Sequence, residues 1–432
     1  MLQRTSAKLL QQSRHYVRAI FCGSLTASGA MLLFFALNYA SLGRGGQERI
    51  AEAFANGSLG PDNYLKGDTD RGVHQYNDCL ILGMAMDQRY SKAELTVSPS
   101  HPFGAQENIC AGLQTGRSYT QRDFYHNYVH GHTLLARYLL PTLGVEGMRS
   151  LYRNSISVVL MIGIGLCMVR LAQGRRQAAV FLVALLGFAR FFGLESFGQS
   201  LSHAPADLVL ISYVFWLAFR AEEIGRSHAI VVAALFGALT MVFEFMTGGL
   251  PLGLATVIGL TWFALRSPNV RDCAAAAVAF VTSAVGVLVI KYAAVAIVFG
   301  GGEVLHIAQF ATFRIDGQLP PDRAGVSLAS AVIGGLNALT PGLDKVGRLM
   351  VFLSICFGLW TLRQDRRPEI ILLAVSNAVI LGWVILFRQH TIVHAWFMDR
   401  IFVWTIISGW LMFLLTLQAG SQFRRSQLTG RT

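Results

Sequence analysis

Charge is what this 432-residue chain has least of. Asp, Glu, Lys and Arg make up 14% of it, against 53% hydrophobic residues and a mean hydropathy of +0.48. A soluble domain carries about 25% charged residues. A water-soluble globule of this size cannot be covered with so few, so a soluble enzyme is excluded. A P-loop, a dinucleotide fingerprint, heptads, internal repeats and low-complexity tracts are all missing, as are an HExxH zinc motif and a serine-centred nucleophile elbow. Cysteine is scarce, with six in all. Glycine is plentiful, with 43 residues, as in packed membrane helices. The net charge of +12 and pI near 9.7 would suit nucleic-acid binding in a polar chain. Here the basic residues are expected in loops on one side of a membrane, and no nucleic-acid partner is expected.

Apolar runs of about 20 residues suffice to cross a bilayer. Ten are read: 19–42, 151–171, 178–197, 205–220, 229–248, 250–265, 274–299, 346–362, 370–387 and 401–418. The fourth and sixth are short enough to be tilted or re-entrant. With the N-terminus inside, seventeen Lys and Arg fall in inner segments and six in the countable outer loops, which places both termini in the cytoplasm. The chain then divides into a basic N-terminus (1–18), a first transmembrane helix (19–42) and an extracytoplasmic loop with interfacial helices (43–150). Transmembrane helices two to seven (151–299), a second extracytoplasmic loop (300–345), helices eight to ten (346–418) and a cytoplasmic tail (419–432) follow. The first run is too long for a signal-peptide core and is read as an anchor. A start without acidic residues before Glu48 also fits an organellar transit peptide. The fold class is thus an all-α polytopic membrane protein.

Within 43–150, residues 47–54 and 80–90 read as short helices, 97–104 as a loop and 133–141 as an apolar helix lying on the membrane. Four cysteines fall in or beside spans. Cys79 and Cys110 are the two in the large loop, a disulfide candidate if that loop faces an oxidising compartment.

Sidedness is the most informative pattern. Nine of eleven histidines map outside: His74, His101, His126, His130, His132, His203, His306, His390 and His394. Arg190, Glu195, Asp207, Glu244, Lys291, Asp399 and Arg400 sit at the outer ends of spans. Charges at span ends can simply snorkel to the interface. Short acidic side chains such as Asp207 and Glu244 cannot reach far, so one polar outward-facing cavity is expected. The stretch 67–79 gathers Asp68, Asp70, Arg71, His74 and Asp78, a density that suits a general base or a divalent cation. Solvated turns have the same composition, and Asp78 could be a helix N-cap. Residues 123–141 bring His126, His130 and His132 before a helix. They suit a lining for phosphate or sugar, structural hydrogen bonding or, less well, a metal. Residues 387–402 add Arg388, His390, His394, Asp399 and Arg400, and arginine is well suited to phosphate.

This layout resembles the GT-C superfamily, the integral-membrane glycosyltransferases that use polyprenyl-phosphate-linked sugars. The shared features are one span, a large outer loop with an early acidic residue, then many spans with polar outer ends. HQYNDCLILGMAM, with Asp78 before Cys79, and RQHTIVHAWF before the last span also resemble elements of bacterial membrane proteins of this layout. Asp68-Thr69-Asp70 has the DxD form but lies about 25 residues past the first span, and no large C-terminal domain follows the last one. The resemblance implies a carboxylate base, Asp78 first and then Asp70, with Asp68 a further candidate. It implies Arg400, Arg388 and Arg190 on the lipid phosphate, and His130 and His394 on phosphate or sugar hydroxyls. The remaining candidate substrate contacts are Arg71, His74, His126, His132, His203, Glu244 and His390. No cofactor is required beyond a possible divalent cation. The partners are membrane lipid and a polyprenyl-phosphate-linked donor, and the location is a bacterial inner membrane with the site facing the periplasm. Three alternatives predict different patterns. A transporter or flippase needs repeated halves and two-sided polar groups, a haem protein needs facing histidines within spans, and an envelope-assembly protein tolerates loss of every loop carboxylate.

Overall fold

The computed structural model describes the chain except residues 1, 61–72, 101–108, 117–122, 194–199, 245–247, 320, 337–344 and 430–432. The described residues are helical, with two isolated bridges, Ser100–Phe124 and Ile224–Leu265, in place of any sheet. In chain order the helices are α1 (Leu2–Ser41), α2 (Gln47–Ala55), α3 (Gln75–Met86), α4 (Lys92–Val97), α5 (Ile109–Thr115), α6 (Gly131–Ala172) and α7 (Ala178–Gly187). After a π-helical turn (Phe188–Gly193) come α8 (Ala204–Phe219), α9 (Arg226–Phe243), α10 (Gly249–Ala264), α11 (Val270–Phe299), α12 (Gly301–Asp316) and α13 (Leu328–Gly335). The last are α14 (Val346–Gln364), α15 (Pro368–Leu386), α16 (Arg388–Val393), α17 (Ala395–Met398) and α18 (Val403–Thr429).

Seven of these segments are long and apolar enough to cross a membrane: 15–41, 131–172, 226–243, 270–299, 346–364, 368–386 and 400–418. Three shorter apolar helices, 178–190, 204–219 and 249–264, fall where further spans were read. Large apolar side chains such as Phe21, Leu32, Met161 and Ile297 project outward from the helices. That exposure would be unfavourable in water but suits a hydrocarbon surround.

Small residues set the packing. α11 lies against α1 and α9, and at Gly237 any Cβ would collide with the Phe280 carbonyl. Only glycine allows that approach of two backbones. Where α15 meets α18, Asn377 Nδ2 donates to Ser408 Oγ at 2.6 Å and Trp404 Nε1 donates to Ser376 Oγ at 2.7 Å. These satisfy polar groups that lipid cannot. One end of the bundle is held by Arg170, which donates to the carbonyls of Ala218 and Phe219 at the end of α8, and by the Arg226–Asp272 ion pair.

The opposite end, called here the loop end, carries α2–α5 and α12–α13. There α3 is buried along nearly its whole length. Arg137 of α6 donates to the Ala85 carbonyl (2.9 Å) and to Asn38 Oδ1 (2.5 Å), and Asn38 Nδ2 donates to Leu95 and Thr96 carbonyls. One buried guanidinium thus ties α1, α3, α4 and α6 together.

The apolar stretch 133–141 and the second span follow one another within α6 as two helical stretches separated by a break at Gly144 (φ 65°, ψ −179°), and the first, which contains Pro141, is buried among its neighbours where a surface helix was expected. The second loop is substantially helical, and residues 387–402 coil into short helices. The first turn of α3 is capped by His74, whose Nδ1 accepts from Asn77 N at 3.1 Å, so Asp78 is not the cap.

Candidate functional site

The expected disulfide is formed: Cys79 and Cys110 are bonded, joining α3 to α5. Immediately before it, Asp78 is fully buried. Its Oδ2 receives Arg149 Nη2 at 2.6 Å and Nε at 3.1 Å, while Oδ1 receives Leu201 N at 2.8 Å and Ser200 Oγ at 3.4 Å. Burial raises the Asp78 pKa, against the Arg149 charge and these hydrogen bonds. Both carboxylate oxygens are therefore already engaged in holding α3, α6 and the 200–203 turn together. Asn77 Nδ2 adds a contact to Ser202 Oγ at 3.4 Å. Asp68, Asp70, Arg71 and His101 lie outside the described residues.

A second polar assembly lies where the ends of α8, α9 and α18 meet the 123–130 segment. Asp207, in the first turn of α8, accepts from Arg400 Nη2 at 2.5 Å across 193 residues. Glu244, at the end of α9, is buried and within electrostatic range of Asp207. Its Oε1 accepts from Gly248 N at 3.1 Å. Gly248 has φ 96°, and a Cβ there would strike Ile401, so the turn that presents the acid needs glycine.

Imidazoles surround this pair. His203 is buried beside Arg400, His74 and His132, and burial first, then those neighbours, holds it well below the ordinary histidine value. His394 is likewise pushed well below by burial and by His390, Arg314, His74 and Arg323. His74, capping α3, is lowered to about 3 by burial. His394 Nε2 lies 3.1 Å from Arg314 Nη1 of α12, and the His390 and His394 rings are 4.6 Å apart. His130, in a left-handed backbone (φ 65°), contacts the Tyr125 carbonyl through Nε2 at 2.9 Å and packs edge-on against His132. Tyr128 is buried near Tyr125, Arg314, Tyr292 and Glu244, and burial raises its phenol well above the ordinary value.

The structure brings His74, His130, His132, His203, Glu244, His390, His394 and Arg400 into one assembly. It does not extend to Arg190 or Arg388, which are exposed, nor to His126, whose partners form a separate group. Arg149, Arg314, Arg323 and Tyr128 were missed. The three arginines stand outside the histidine-rich motifs, and only the fold brings them to their partners. Among the described residues no group of three His, Cys, Asp or Glu side chains could hold a metal ion. Chemically the assembly joins guanidinium groups, neutral imidazoles and two buried carboxylates, a set suited to binding an anion and moving a proton beside it. The chain matches no protein-family model, no curated protein and no solved structure.

Proposed function

We propose that the chain crosses the membrane ten times with its loop end on the extracytoplasmic side of a bacterial inner membrane. There it transfers a sugar from a polyprenyl-phosphate-linked donor to an acceptor hydroxyl, as the GT-C-like layout implies. The supporting observation is the meeting of Arg400, Arg314 and Arg323 with six buried imidazoles at the ends of apolar helices. A lipid-linked phosphate has the matching chemistry: an apolar chain for the bundle and an anion for its polar end.

Glu244 is the base this arrangement favours, because Asp78 is committed to Arg149. The acceptor oxygen attacks the anomeric carbon as its proton passes to Glu244. The bond from that carbon to the phosphate oxygen breaks, and Arg314 and Arg400 neutralise the charge left on the departing phosphate. Asp207 holds the Arg400 guanidinium in place, and the neutral imidazoles donate hydrogen bonds to phosphate or sugar oxygens.

The test uses the full chain in nanodiscs. Polyprenyl monophosphate should bind the wild type, and Arg314→Gln should weaken binding at least about tenfold, since charge-assisted hydrogen bonds contribute about 1.5–3 kcal/mol. Glu244→Gln should keep binding while transfer from a polyprenyl-phosphate sugar falls by about 100- to 10,000-fold. A wild type that does not bind the monophosphate, or Glu244→Gln with undiminished transfer, overturns the reading.

A further inference from the structure

A separate polar chain runs from the interior of the bundle to its surface. Lys291 of α11 is fully buried two turns before the helix ends. Its Nζ donates to the Val97 carbonyl and, at 2.6 Å, to Ser98 Oγ. Ser98 Oγ also lies 2.9 Å from His126 Nδ1. His126 Nε2 is 3.8 Å from Glu303 Oε2 of α12, and Glu303 in turn is 3.4 Å from the exposed His306. The His126 ring is packed between Phe124 and Phe299.

A serine between an amine and an imidazole has the composition of an activated nucleophile. The surroundings argue against that use. Ser98 has no exposed surface, its own N–H is bonded to the Glu94 carbonyl, and Pro99 has no N–H to offer an oxyanion. What the contacts do accomplish is to fasten the end of α4 to α11 and α12. With His126 neutral, Ser98 can donate its proton to Nδ1 and accept from Lys291. With His126 protonated, both neighbours of the hydroxyl are cationic donors: its oxygen can receive both, but the hydroxyl proton loses its acceptor and two like charges face each other across Ser98.

We propose that Lys291, Ser98, His126 and Glu303 form an acid-released latch: a proton taken up by His126 from the loop-end surface frees the 92–100 segment from α11. The charged groups facing His126 are Lys291 from α11 and Glu303 and His306 from α12; Lys291 and His306 oppose its protonation and Glu303 favours it. Burial is the largest influence and lowers its pKa from 6.5 to about 4. Opening restores the ordinary value. The latch is therefore fully closed above pH 6.5, and each pH unit below that, down to about 4, shifts the closed-to-open ratio tenfold towards open.

The experiment is hydrogen–deuterium exchange on the full chain in nanodiscs at pH 7.5 and pH 5, with rates corrected for intrinsic chemistry. Protection of 92–100 should fall about 30-fold at pH 5 relative to that of α18. His126→Gln, which cannot titrate, should exchange equally at both pH values. Glu303→Gln, which removes the group favouring the protonated closed form, should leave the onset near pH 6.5 unchanged and extend the loss of protection to lower pH. Equal protection of wild type at both pH values overturns the latch, as does loss of protection at pH 5 in His126→Gln. Labelling of Ser98 by a fluorophosphonate also overturns it, since that would show a nucleophile instead.

Discussion

At the scale of single residues, the structure turns a catalytic candidate into a fastening. Asp78 and Arg149 pair with each other at a buried position. Removing one partner of such a pair strands the other charge at a cost of about 3–5 kcal/mol. Asp78→Asn and Arg149→Met should each lower stability by that order in thermal unfolding, and the double variant should recover part of the loss. The buried imidazoles give a pH signature of definite sign. His74 has its pKa lowered to about 3 in the folded chain against 6.5 when unfolded, so the unfolded state holds more protons between those values. Its contribution is complete above pH 6.5 and is lost as the pH falls. At pH 5 the loss from this one ring is about 2 kcal/mol. The melting temperature should drop from pH 7.5 to pH 5, and His74→Asn should flatten that slope.

Helices add constraints of their own. The Cys79–Cys110 bond spans 31 residues and joins the buried α3 to α5. A loop of that size contributes about 3–4 kcal/mol when closed, so Cys110→Ser should lower the melting temperature and abolish its sensitivity to reductant. At the crossing of α9 with α11, Gly237→Val would push a side chain into the Phe280 backbone. The expected loss is about 1–3 kcal/mol or more, visible as reduced thermal stability. Element positions were largely legible from hydropathy, because an apolar run long enough to span a bilayer has few other uses. Boundaries were less so. Nothing local distinguishes the stretch before Gly144, buried among its neighbours, from the stretch after it, which exposes much of its apolar surface; both are apolar, and they meet at the break at Gly144.

For the whole molecule, the polar assembly could be anticipated only as a tendency of histidines and acids to gather at one end. Composition marks a side chain as unsuited to lipid, but not which partner relieves it. Arg149 meets Asp78 across 71 residues and Arg314 meets His394 across 80. Those pairings are properties of the packed bundle. Ser98 was invisible for the same reason, since only the fold brings Lys291 and His126 to its hydroxyl.

The Asp207–Arg400 pair also bears on biogenesis. The carboxylate leaves the ribosome 193 residues ahead of its guanidinium. Until translation is almost finished, the first turn of α8 carries an acid without this counter-ion, which disfavours insertion by less than the about 3 kcal/mol of an Asp at the centre of a helix. A nascent chain truncated before Arg400 is therefore a natural target for quality-control proteases, and completion of the last helix is the event that releases it.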